Sequence, residues 1–471
     1  MDYSLTTGSG ELDALIGGLL PRSMVLVVGH PGAGKTTLAS QICYANTLRG
    51  KKCLYVTFYE DKDKLFRNMS RLGINLSEAE SEGLLSYVKL PTISVDEMLK
   101  VMTELLTRGS YDVVVIDSIN PTLELSEPKE ARRAVLLNFF YQLANIINGL
   151  LIVSAEIPLG RESLNLGSVE FVADAIIYLK HRVTYGSLSR VLEIRKIRGA
   201  PLSIVEFPFS IVEGKGLKIY IPPRLERVIA GKGETFKTTL SAIPELVGPI
   251  NRGDLVFISN PPHGRTPLVI IPVVDLAVTN DARVLHISYR YSPDEVRDTY
   301  ARVFESYFGV ERDYTLKALD KHFYIDSMNP ASYSLSHMRA LTRELIERLD
   351  PDIVVYHGVD ALKGVIREQE EYWAMLMNEL VWLKNMGKLV IRYASRVDPY
   401  WTRMNEALSD IVVRTYYRRE GVHLKPVFYI WRRGMNPTIF DYTERDSEKA
   451  TLELKELAKM IRGDASAGVK G

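Results

Sequence analysis

The fold is constrained most by residues 29–36, which read Gly-His-Pro-Gly-Ala-Gly-Lys-Thr. This segment matches the glycine-rich pattern G-x-x-x-x-G-K-[ST], which is meaningful when a strand precedes it and a helix follows it. The apolar run at residues 25–28 supplies the predicted strand, and a helical pattern begins near Lys35. Glycines let backbone N–H groups approach an anion, and the helix N-terminus adds positive potential. The segment is therefore predicted to be a phosphate-binding loop (P-loop).

Two side chains of this loop suit ATP and magnesium. The Lys35 ammonium is predicted to reach the β- and γ-phosphates, and the Thr36 hydroxyl is predicted to bind Mg²⁺. A chance glycine-rich turn is the alternative, and the flanking strand and helix argue against it. ATP and Mg²⁺ are thus the expected cofactors. The predicted nucleotide-binding residues are Gly29, Pro31, Gly32, Ala33, Gly34, Lys35, Thr36 and Thr37.

Other short apolar runs alternate with helical patterns in the first half of the chain, at residues 53–58, 113–116 and 150–154. Such runs are typical of parallel strands that are buried on both faces. We therefore predict an α/β fold with a mostly parallel central sheet flanked by helices. Strand-like stretches without intervening helices are predicted to be antiparallel strands at the sheet edge, at residues 175–179, 190–195 and 204–207.

Charged residues at the ends of these strands are candidates for catalysis. Asp117 is expected to orient Mg²⁺ through a water, although a helix cap is the alternative. Glu60 could take a proton from an attacking water, although a solvated acidic turn is the alternative. Lys196 and Arg198 are two residues apart on a predicted strand and so share a face. They could stabilise a γ-phosphate bound by a neighbouring subunit, or they could form a basic stripe on an exposed strand.

The second half of the chain repeats the first half. Residues 15–22 and 25–38 align without a gap with residues 245–252 and 255–268, and three further matches follow in the same order. Because chance would not preserve that order, a tandem duplication is predicted, and 471 residues suffice for two domains. The predicted domains are residues 1–223, a linker at 224–233, residues 234–443, and a C-terminal helix and flexible tail at 444–471.

Together these segments resemble the KaiC-like branch of the RecA superfamily of ATPases. The strong resemblance covers about residues 4–223, and its duplicated layout extends over the second half. The segments that carry it are Thr6-Thr7-Gly8, Leu12-Asp13, Gly17-Gly18, Leu20-Pro21-Arg22, residues 31–38, Tyr55-Val56-Thr57-Phe58, residues 169–174 and Lys196-Ile197-Arg198-Gly199. The resemblance implies two tandem RecA-like P-loop NTPase domains and a homo-oligomeric ring, often a hexamer, with ATP between subunits. It also implies that Lys196 and Arg198 act in trans.

Two departures from the family pattern matter. The family usually carries two adjacent glutamates after the second strand, but Tyr59 takes the first position here, before Glu60. A phenol with a pKa near ~10 is a poor base at neutral pH, so slow hydrolysis is expected.

The second departure is the C-terminal repeat. Its P-loop counterpart, residues 259–266, contains Pro262, which lacks a backbone donor, and Arg265 in place of the lysine. We predict that this repeat does not hydrolyse ATP and has no autokinase activity, and ATP binding there is not expected. Its other changes are His357 at the position of Asp117, Arg290 and Tyr291 at the acidic pair, and Trp431 at the position of Lys196.

The charge balance, the apolar runs and the cysteine content narrow the classes of partner and the location that are expected. With 59 basic and 58 acidic residues the net charge is +1, which argues against a nonspecific DNA coater. The N-terminus lacks a signal-peptide pattern, and polar residues interrupt the most apolar run, so a cytoplasmic protein without a membrane span is expected. Cys43 and Cys53 are interpreted as buried apolar residues, because two cysteines build no disulfide framework or zinc cluster.

The leading hypothesis is a slow ATPase that acts as a nucleotide-controlled regulatory or assembly switch on an unknown protein partner. A DNA-dependent recombinase-like motor is one alternative, with candidate contacts at Arg161 in the loop 157–168 and at residues 414–419. The basic and aromatic residues 414–419 also fit an edge hairpin, which we favour over a nucleic-acid site. A nucleotide-stabilised scaffold with negligible turnover is the other alternative.

Overall fold

The computed structural model describes residues 5–91, 95–120, 140, 142–144, 146–157, 172–184, 187–200, 202, 205–221, 234–262, 269–366, 369–441 and 444–463. The chain divides into two compact units, Met1–Ile221 and Pro222–Gly471. The predicted linker at 224–233 and the tail beyond residue 463 lie outside the described residues. No helix of the described segments combines the length and apolar character needed to cross a membrane.

The first unit alternates strands and helices before it ends in strands alone. Its strands are β1 (Ser23–Gly29), β2 (Cys53–Thr57), β3 (Leu85–Lys89), β4 (Val113–Asp117), β5 (Leu150–Glu156), β6 (Ala175–Thr184), β7 (Ser187–Ile197), β8 (Glu206–Val212) and β9 (Gly216–Ile219). Its helices are α1 (Gly10–Ile16), α2 (Lys35–Thr47), α3 (Lys62–Arg71), α4 (Leu76–Ser81) and α5 (Val95–Arg108).

Within the described part of the first unit, nine strands form one sheet in the order β3-β2-β4-β5-β1-β6-β7-β8-β9. Strands β1 to β5 pair in parallel, and β6 is parallel to β1. Strands β6 to β9 pair in antiparallel fashion at one edge, which confirms the predicted antiparallel edge. Residue 204 of the third predicted edge strand lies outside the described residues, and β8 runs from Glu206 to Val212.

The second unit has a similar alternation. Its strands are β10 (Leu255–Asn260), β11 (Val284–Ser288), β12 (Phe323–Ser327), β13 (Ile353–His357), β14 (Leu389–Ser395), β15 (Ile411–Glu420), β16 (His423–Arg432) and β17 (Thr438–Asp441). Its helices are α6 (Ala242–Val247), α7 (Ile271–Thr279), α8 (Pro293–Phe308), α9 (Arg312–His322), α10 (Leu335–Leu349), a 3₁₀ helix (Val359–Gly364), α11 (Gln369–Asn385), α12 (Pro399–Ala407) and α13 (Glu444–Arg462).

The second sheet repeats the order of the first. Among its described residues eight strands are arranged β12-β11-β13-β14-β10-β15-β16-β17, with β10 in the position that β1 has in the first sheet. The same connectivity in both halves is what a tandem duplication produces, because homologous segments keep their topology. The predicted fold class, two tandem α/β domains with mostly parallel sheets flanked by helices, is therefore confirmed.

Helices cover the central strands on both faces. In β1, Val25 and Val27 belong to one buried cluster, while Met24, Leu26 and Val28 belong to the cluster on the other face. Side chains alternate between the faces of a strand, so a strand buried on both faces needs apolar residues throughout. Burying each such side chain contributes about 1.5–3 kcal/mol. This burial fixes β1, and with it the loop that follows Gly29.

Cys43 and Cys53 are both buried as predicted, but their interpretation as plain apolar residues was wrong. Cys43 on α2 and Cys53 at the start of β2 form a disulfide, with Cα atoms 6.0 Å apart. Ten residues separate them in sequence, and the pairing arises because the chain returns from α2 directly into the neighbouring strand. Two cysteines cannot form a framework, but they can still form one bond where the topology places them together.

Candidate functional site

The predicted P-loop connects the end of β1 to the start of α2. Gly29 is the last residue of β1, and a Cβ atom there would lie 2.4 Å from the carbonyl oxygen of Leu179. Gly34 caps α2 with φ of 105°, a backbone conformation that side chains other than glycine rarely adopt. The sequence therefore needs glycine at both positions, and the loop between them leads directly into the N-terminus of α2.

Lys35 is folded back onto this loop. Its ammonium donates to the carbonyl oxygens of Gly29 (3.2 Å) and His30 (3.1 Å), and it forms an ion pair with Glu156 at 3.2 Å. Lys35 is 5% exposed, whereas the Glu156 side chain is 46% exposed. An incoming phosphate would exchange these three acceptors for its own oxygens, which are better suited to an ammonium. Lys35 is thus already oriented toward the inside of the loop.

Asp117 is a buried carboxylate held by two hydroxyl groups. It is 6% exposed and ends β4, beside Thr57 of β2. The Tyr55 hydroxyl donates to one oxygen at 2.9 Å, and the Ser154 hydroxyl donates to the other. Burial raises the pKa of Tyr55 well above its usual value, so this phenol stays protonated and remains a donor. Within the described residues no lysine or arginine is paired with Asp117.

These features fit MgATP. The loop ends at Gly34, directly before the N-terminus of α2, where backbone N–H groups and the helix dipole favour a bound phosphate. Asp117 carries a charge without a described cationic partner, and a divalent ion would balance it. Thr36 lies in the first turn of α2, and α2 packs against β4. The Thr36 hydroxyl and Asp117 are therefore the residues that would hold Mg²⁺, with Lys35 and the loop backbone on the phosphates.

Glu60 lies just after β2, at the same edge of the sheet as Asp117. Both polar groups of its backbone are hydrogen-bonded. The N–H donates to the Thr57 hydroxyl at 3.4 Å, and the carbonyl accepts from the Tyr87 hydroxyl at 2.8 Å. The Glu60 carboxylate is 38% exposed and lies 3.9 Å from the Lys64 ammonium. The preceding residue, Tyr59, is 62% exposed. The turn therefore presents a phenol to solvent where the family usually has a glutamate.

Arg198 lies at the other end of β1, whereas Lys196 is level with Leu26 in the middle of that strand. Arg198 forms an ion pair with Asp174 at 2.9 Å, and Asp174 exchanges hydrogen bonds with the backbone of Met24. Met24 is five residues before Gly29, so the two ends of β1 are separated by about 16 Å. β7 ends at Ile197, so Arg198 stands one residue beyond the strand rather than on it. Lys196 is opposite Ile176 in β6, next to a register shift.

Three residues of this site were missed by sequence reasoning. Tyr55 and Ser154 hold Asp117, and Glu156 pairs with Lys35. A signal for Glu156 was present, because it ends the apolar run of β5 as Asp117 ends that of β4. It becomes informative only once β5 is known to lie beside β1.

The corresponding positions of the second unit carry different chemistry. Ser288 is beside His357 as Thr57 is beside Asp117, and Trp431 is opposite Val412 as Lys196 is opposite Ile176. Pro262 is described, but residues 263–268 of the P-loop counterpart, with Arg265, lie outside the described residues. His357 and Trp431 thus take the positions of Asp117 and Lys196. The predicted gap-free alignment of residues 25–38 with 255–268 was wrong by one residue in β10, because Leu255 takes the position of Met24 beside the corresponding aspartate contact.

The arginines of residues 414–419 have partners within the chain. Arg414 makes two contacts with the Glu406 carboxylate at 2.7 and 2.6 Å, and Arg418 pairs with Glu420 at 2.9 Å. Arg419 donates to the carbonyl of Gly421 at 2.9 Å. These residues belong to the β15–β16 hairpin, which agrees with the edge-hairpin interpretation. The other candidate contact, Arg161 in the loop 157–168, lies outside the described residues apart from Ile157.

A parallel sheet with a glycine-rich loop between β1 and α2, and an aspartate at the end of a nearby strand, defines a RecA-like P-loop NTPase. Residues 5–224 match the protein family described as "ATPase: KaiC". A UPF0273 protein of Aeropyrum pernix is 30% identical over 239 residues, covering 46% of this chain and 93% of that protein. The chain belongs to the KaiC family of ATPases, through its first unit.

Two further relatives are named as clock proteins. The circadian clock protein KaiC3 of Synechocystis sp. is 28% identical over 202 residues, which cover 42% of this chain and 40% of KaiC3. The circadian clock oscillator protein KaiC of Parathermosynechococcus lividus is 27% identical over 234 residues, covering 48% of this chain and 42% of that KaiC. The matched region thus spans about two fifths of each of these longer relatives.

Proposed function

We propose that the first unit binds MgATP at residues 29–36 and hydrolyses it slowly. Lys35 and the loop backbone would hold the phosphates, and Thr36 and Asp117 would hold Mg²⁺. The supporting geometry is the preformed loop, the inward Lys35 and the buried Asp117 without a described cationic partner. Mg²⁺ held by Thr36 and Asp117 would supply positive charge to offset the negative charge that develops on the leaving group.

Glu60 is proposed as the group that positions or deprotonates the attacking water. Its backbone is anchored to Thr57 and Tyr87, so the residue is held at the carboxyl end of β2. Tyr59 offers no second carboxylate at this turn. General-base assistance contributes about 10²–10⁴-fold in typical enzymes, so an incomplete acidic pair makes turnover slow.

Lys196 and Arg198 are proposed to act on ATP bound by a neighbouring subunit. The observation that carries this proposal is that Arg198 lies at the amino end of β1 and Lys196 is level with the middle of that strand, whereas the P-loop follows its carboxyl end. The two ends of β1 are about 16 Å apart, so groups at both ends of one strand cannot contact the same nucleotide. A head-to-tail interface brings the two ends of different subunits together, and repetition of that interface closes a ring.

We propose that this ring, a hexamer by analogy with the family, acts in the cytoplasm as a nucleotide-controlled switch. A cation that reaches across the interface to the γ-phosphate makes subunit packing depend on the nucleotide state. A protein partner that binds one packing state better would then sense ATP. The second unit is proposed to contribute to assembly without hydrolysing ATP and without autokinase activity.

Mixing two inactive variants tests the shared site. Lys35→Ala removes the phosphate-binding ammonium, and Arg198→Ala removes the cation from the neighbour, so each variant alone should lose most ATPase activity. In rings mixed at a 1:1 ratio, about a quarter of the interfaces pair an intact Lys35 from one subunit with an intact Arg198 from its neighbour. About a quarter of wild-type activity should therefore return.

Arg433→Ala is the matched control. Arg433 is the counterpart of Arg198 and is paired with Asp410 at 3.6 Å, and both arginine side chains are more than half exposed. Loss of activity in Arg198→Ala but not in Arg433→Ala would separate a catalytic effect from loss of an ion pair. If mixtures of the two inactive variants regain no activity, the site is not shared between subunits.

A further inference from the structure

The second unit has an apolar cavity between one face of its sheet and the helices that cover this face, and we call it the interlayer cavity. Its volume is about 240 Å³, with α6, α7 and α13 on one side and β10, β14, β15, β16 and β17 on the other. Among the described lining residues Glu453 is the one with a charge, and apart from Tyr393 the others are apolar. The Glu453 carboxylate accepts hydrogen bonds from the Ser241 N–H at 3.1 Å and from the Ser241 hydroxyl. The described walls are therefore those of a hydrophobic site with a single carboxylate.

The interlayer cavity lies beneath the sheet face and not at the edge where the first unit has its P-loop. Tyr393 and Val269 stand between the cavity and the open space at that edge, because they line both and the Tyr393 hydroxyl donates to the Val269 carbonyl at 2.7 Å. Burial raises the pKa of Tyr393 well above its usual value, so the phenol keeps its proton and remains a donor. From this pair the cavity extends toward the amino ends of β14 and β15, where Leu389 and Ile411 line it. A ligand in it would therefore not occupy the position of a nucleotide.

The same face of the first sheet is closed. Val25 and Val27 of β1 are 1% and 0% exposed, but Val256 and Ile258, which take their positions in β10, are 7% and 8% exposed. All four side chains belong to the buried cluster on this face of their sheet. Val256 and Ile258 line the interlayer cavity, so their remaining exposed surface is part of its wall.

The helices and edge strands that cover the two sheets explain the difference. In the first unit α2 is joined to the edge strand β9, because the Gln41 side chain exchanges hydrogen bonds with the backbone of Leu217. In the second unit β17 is the last strand of the described sheet, and α13 packs over this region instead. Leu457 of α13 is fully buried, whereas Leu454 lines the cavity and is only partly buried. The helix therefore spans the gap without filling it.

The physical chemistry of these walls selects an apolar ligand. Atoms that face a void lose dispersion contacts, and an apolar cavity offers water too few hydrogen-bond partners to hold it. A charged molecule would lose its hydration among aliphatic and aromatic side chains, whereas a hydrocarbon would gain from the same transfer. A carboxylic acid would also meet the charge of Glu453. The volume is below the range of about 300–1,000 Å³ that is typical of drug-sized ligands, which suits a narrow chain.

We propose that the interlayer cavity binds an uncharged molecule with a hydrocarbon chain, of the class of medium-chain and isoprenoid alcohols. The chain would lie between the sheet and α13, beside Val256, Ile258 and Leu454. Its hydroxyl would donate to Glu453, whose carboxylate has acceptor positions beyond the two bonds from Ser241. Bound there, the alcohol would fill the gap under α13 and stabilise the second unit.

The test uses the full-length chain with decanol as the ligand and decanoate as the acid of the same chain length. Binding is measured by displacement of the uncharged fluorescent probe N-phenylnaphthylamine. Decanol should displace the probe saturably, and decanoate should need a concentration about tenfold or more higher, because its charge would be buried. In calorimetry, decanol at about 100 times its Kd should raise the Tm of the second unit by about 5–10 °C.

Two variants that narrow the cavity from opposite walls locate the site. Val413→Phe on β15 and Ala242→Phe on α6 each add a ring to the described lining and should weaken decanol binding by about tenfold or more. Val422→Phe is the matched control, because Val422 is 88% exposed at the tip of the β15–β16 hairpin and is outside the described lining. This control should bind decanol as the wild type does.

Xenon provides a measurement that needs no variant. In crystals of the wild-type chain under xenon pressure, the gas should occupy the interlayer cavity beside Val256 and Ile258, as it occupies other dry apolar cavities. The proposal is overturned if decanol does not displace the probe, if decanoate competes as well as decanol, if both cavity variants bind decanol normally, or if xenon does not enter the cavity.

Discussion

At the residue scale, the pairing of Lys35 with Glu156 has a consequence for nucleotide affinity. ATP has to displace a carboxylate from the ammonium, although the exposed Glu156 makes that pair weak, about 0.2–1 kcal/mol. Glu156→Gln should therefore tighten MgATP binding by about two- to fivefold, since 1 kcal/mol corresponds to about fivefold. Equilibrium dialysis with labelled ATP measures this, and Lys35→Ala serves as the variant without binding. Weakening by tenfold or more would instead make Glu156 part of the nucleotide site.

The turn after β2 supports a second prediction at this scale. Tyr59 is 62% exposed, so Tyr59→Glu should restore an adjacent acidic pair without disturbing the core. We expect kcat for ATP to rise about tenfold or more, within the range of general-base catalysis, while Glu60→Gln should lower it. Tyr59→Phe keeps the ring and removes the hydroxyl, and it should leave kcat unchanged. Equal kcat values for wild type and Glu60→Gln would exclude Glu60 as the base.

At the element scale, local sequence patterns predicted where the strands are, but they did not predict which strands lie side by side in the sheet. The apolar runs at β1, β2, β4 and β5 correctly predicted buried strands, because burial on both faces requires continuous apolar residues. They did not show that β5 lies beside β1, which brings Glu156 to Lys35 and Ser154 to Asp117. Contacts between strands that are distant in sequence depend on the order of the whole sheet. Hence the loop and Asp117 were foreseeable, whereas their supporting residues were not.

The disulfide between α2 and β2 belongs to this scale as well. It closes a short loop, since ten residues separate Cys43 and Cys53. In the chain-entropy description a loop of this size contributes about 3 kcal/mol to stability. The double variant Cys43→Ala/Cys53→Ala should lower the Tm of the first unit, measured by calorimetry, and a reductant should lower the wild-type Tm but not that of the variant. An unchanged Tm would show that the two thiols are not bonded in solution.

At the scale of the whole molecule, the two units share a fold but carry different residues at the corresponding site positions. Both sheets have the same strand order, and Asp410 contacts Leu255 and Arg433 as Asp174 contacts Met24 and Arg198. The structural contacts at the amino end of the central strand are therefore retained. At the carboxyl end, by contrast, the carboxylate of Asp117 is replaced by His357. Fold and chemistry diverged separately because packing constrains the core, whereas the site lies on the loops beyond it.

One ATP per chain is the prediction that follows for the complete assembly. If only the first unit has a working phosphate cradle, the full-length chain should bind one MgATP at saturation, and a ring should bind as many as it has subunits. Lys35→Ala in the full-length chain should then abolish saturable binding altogether, because Pro262 removes a backbone donor from the P-loop counterpart and Arg290 is already paired with Asp360. Direct titration of both proteins at known concentration decides the question. A stoichiometry of two, or residual saturable ATP binding in Lys35→Ala, would show that the second unit is a nucleotide site in its own right.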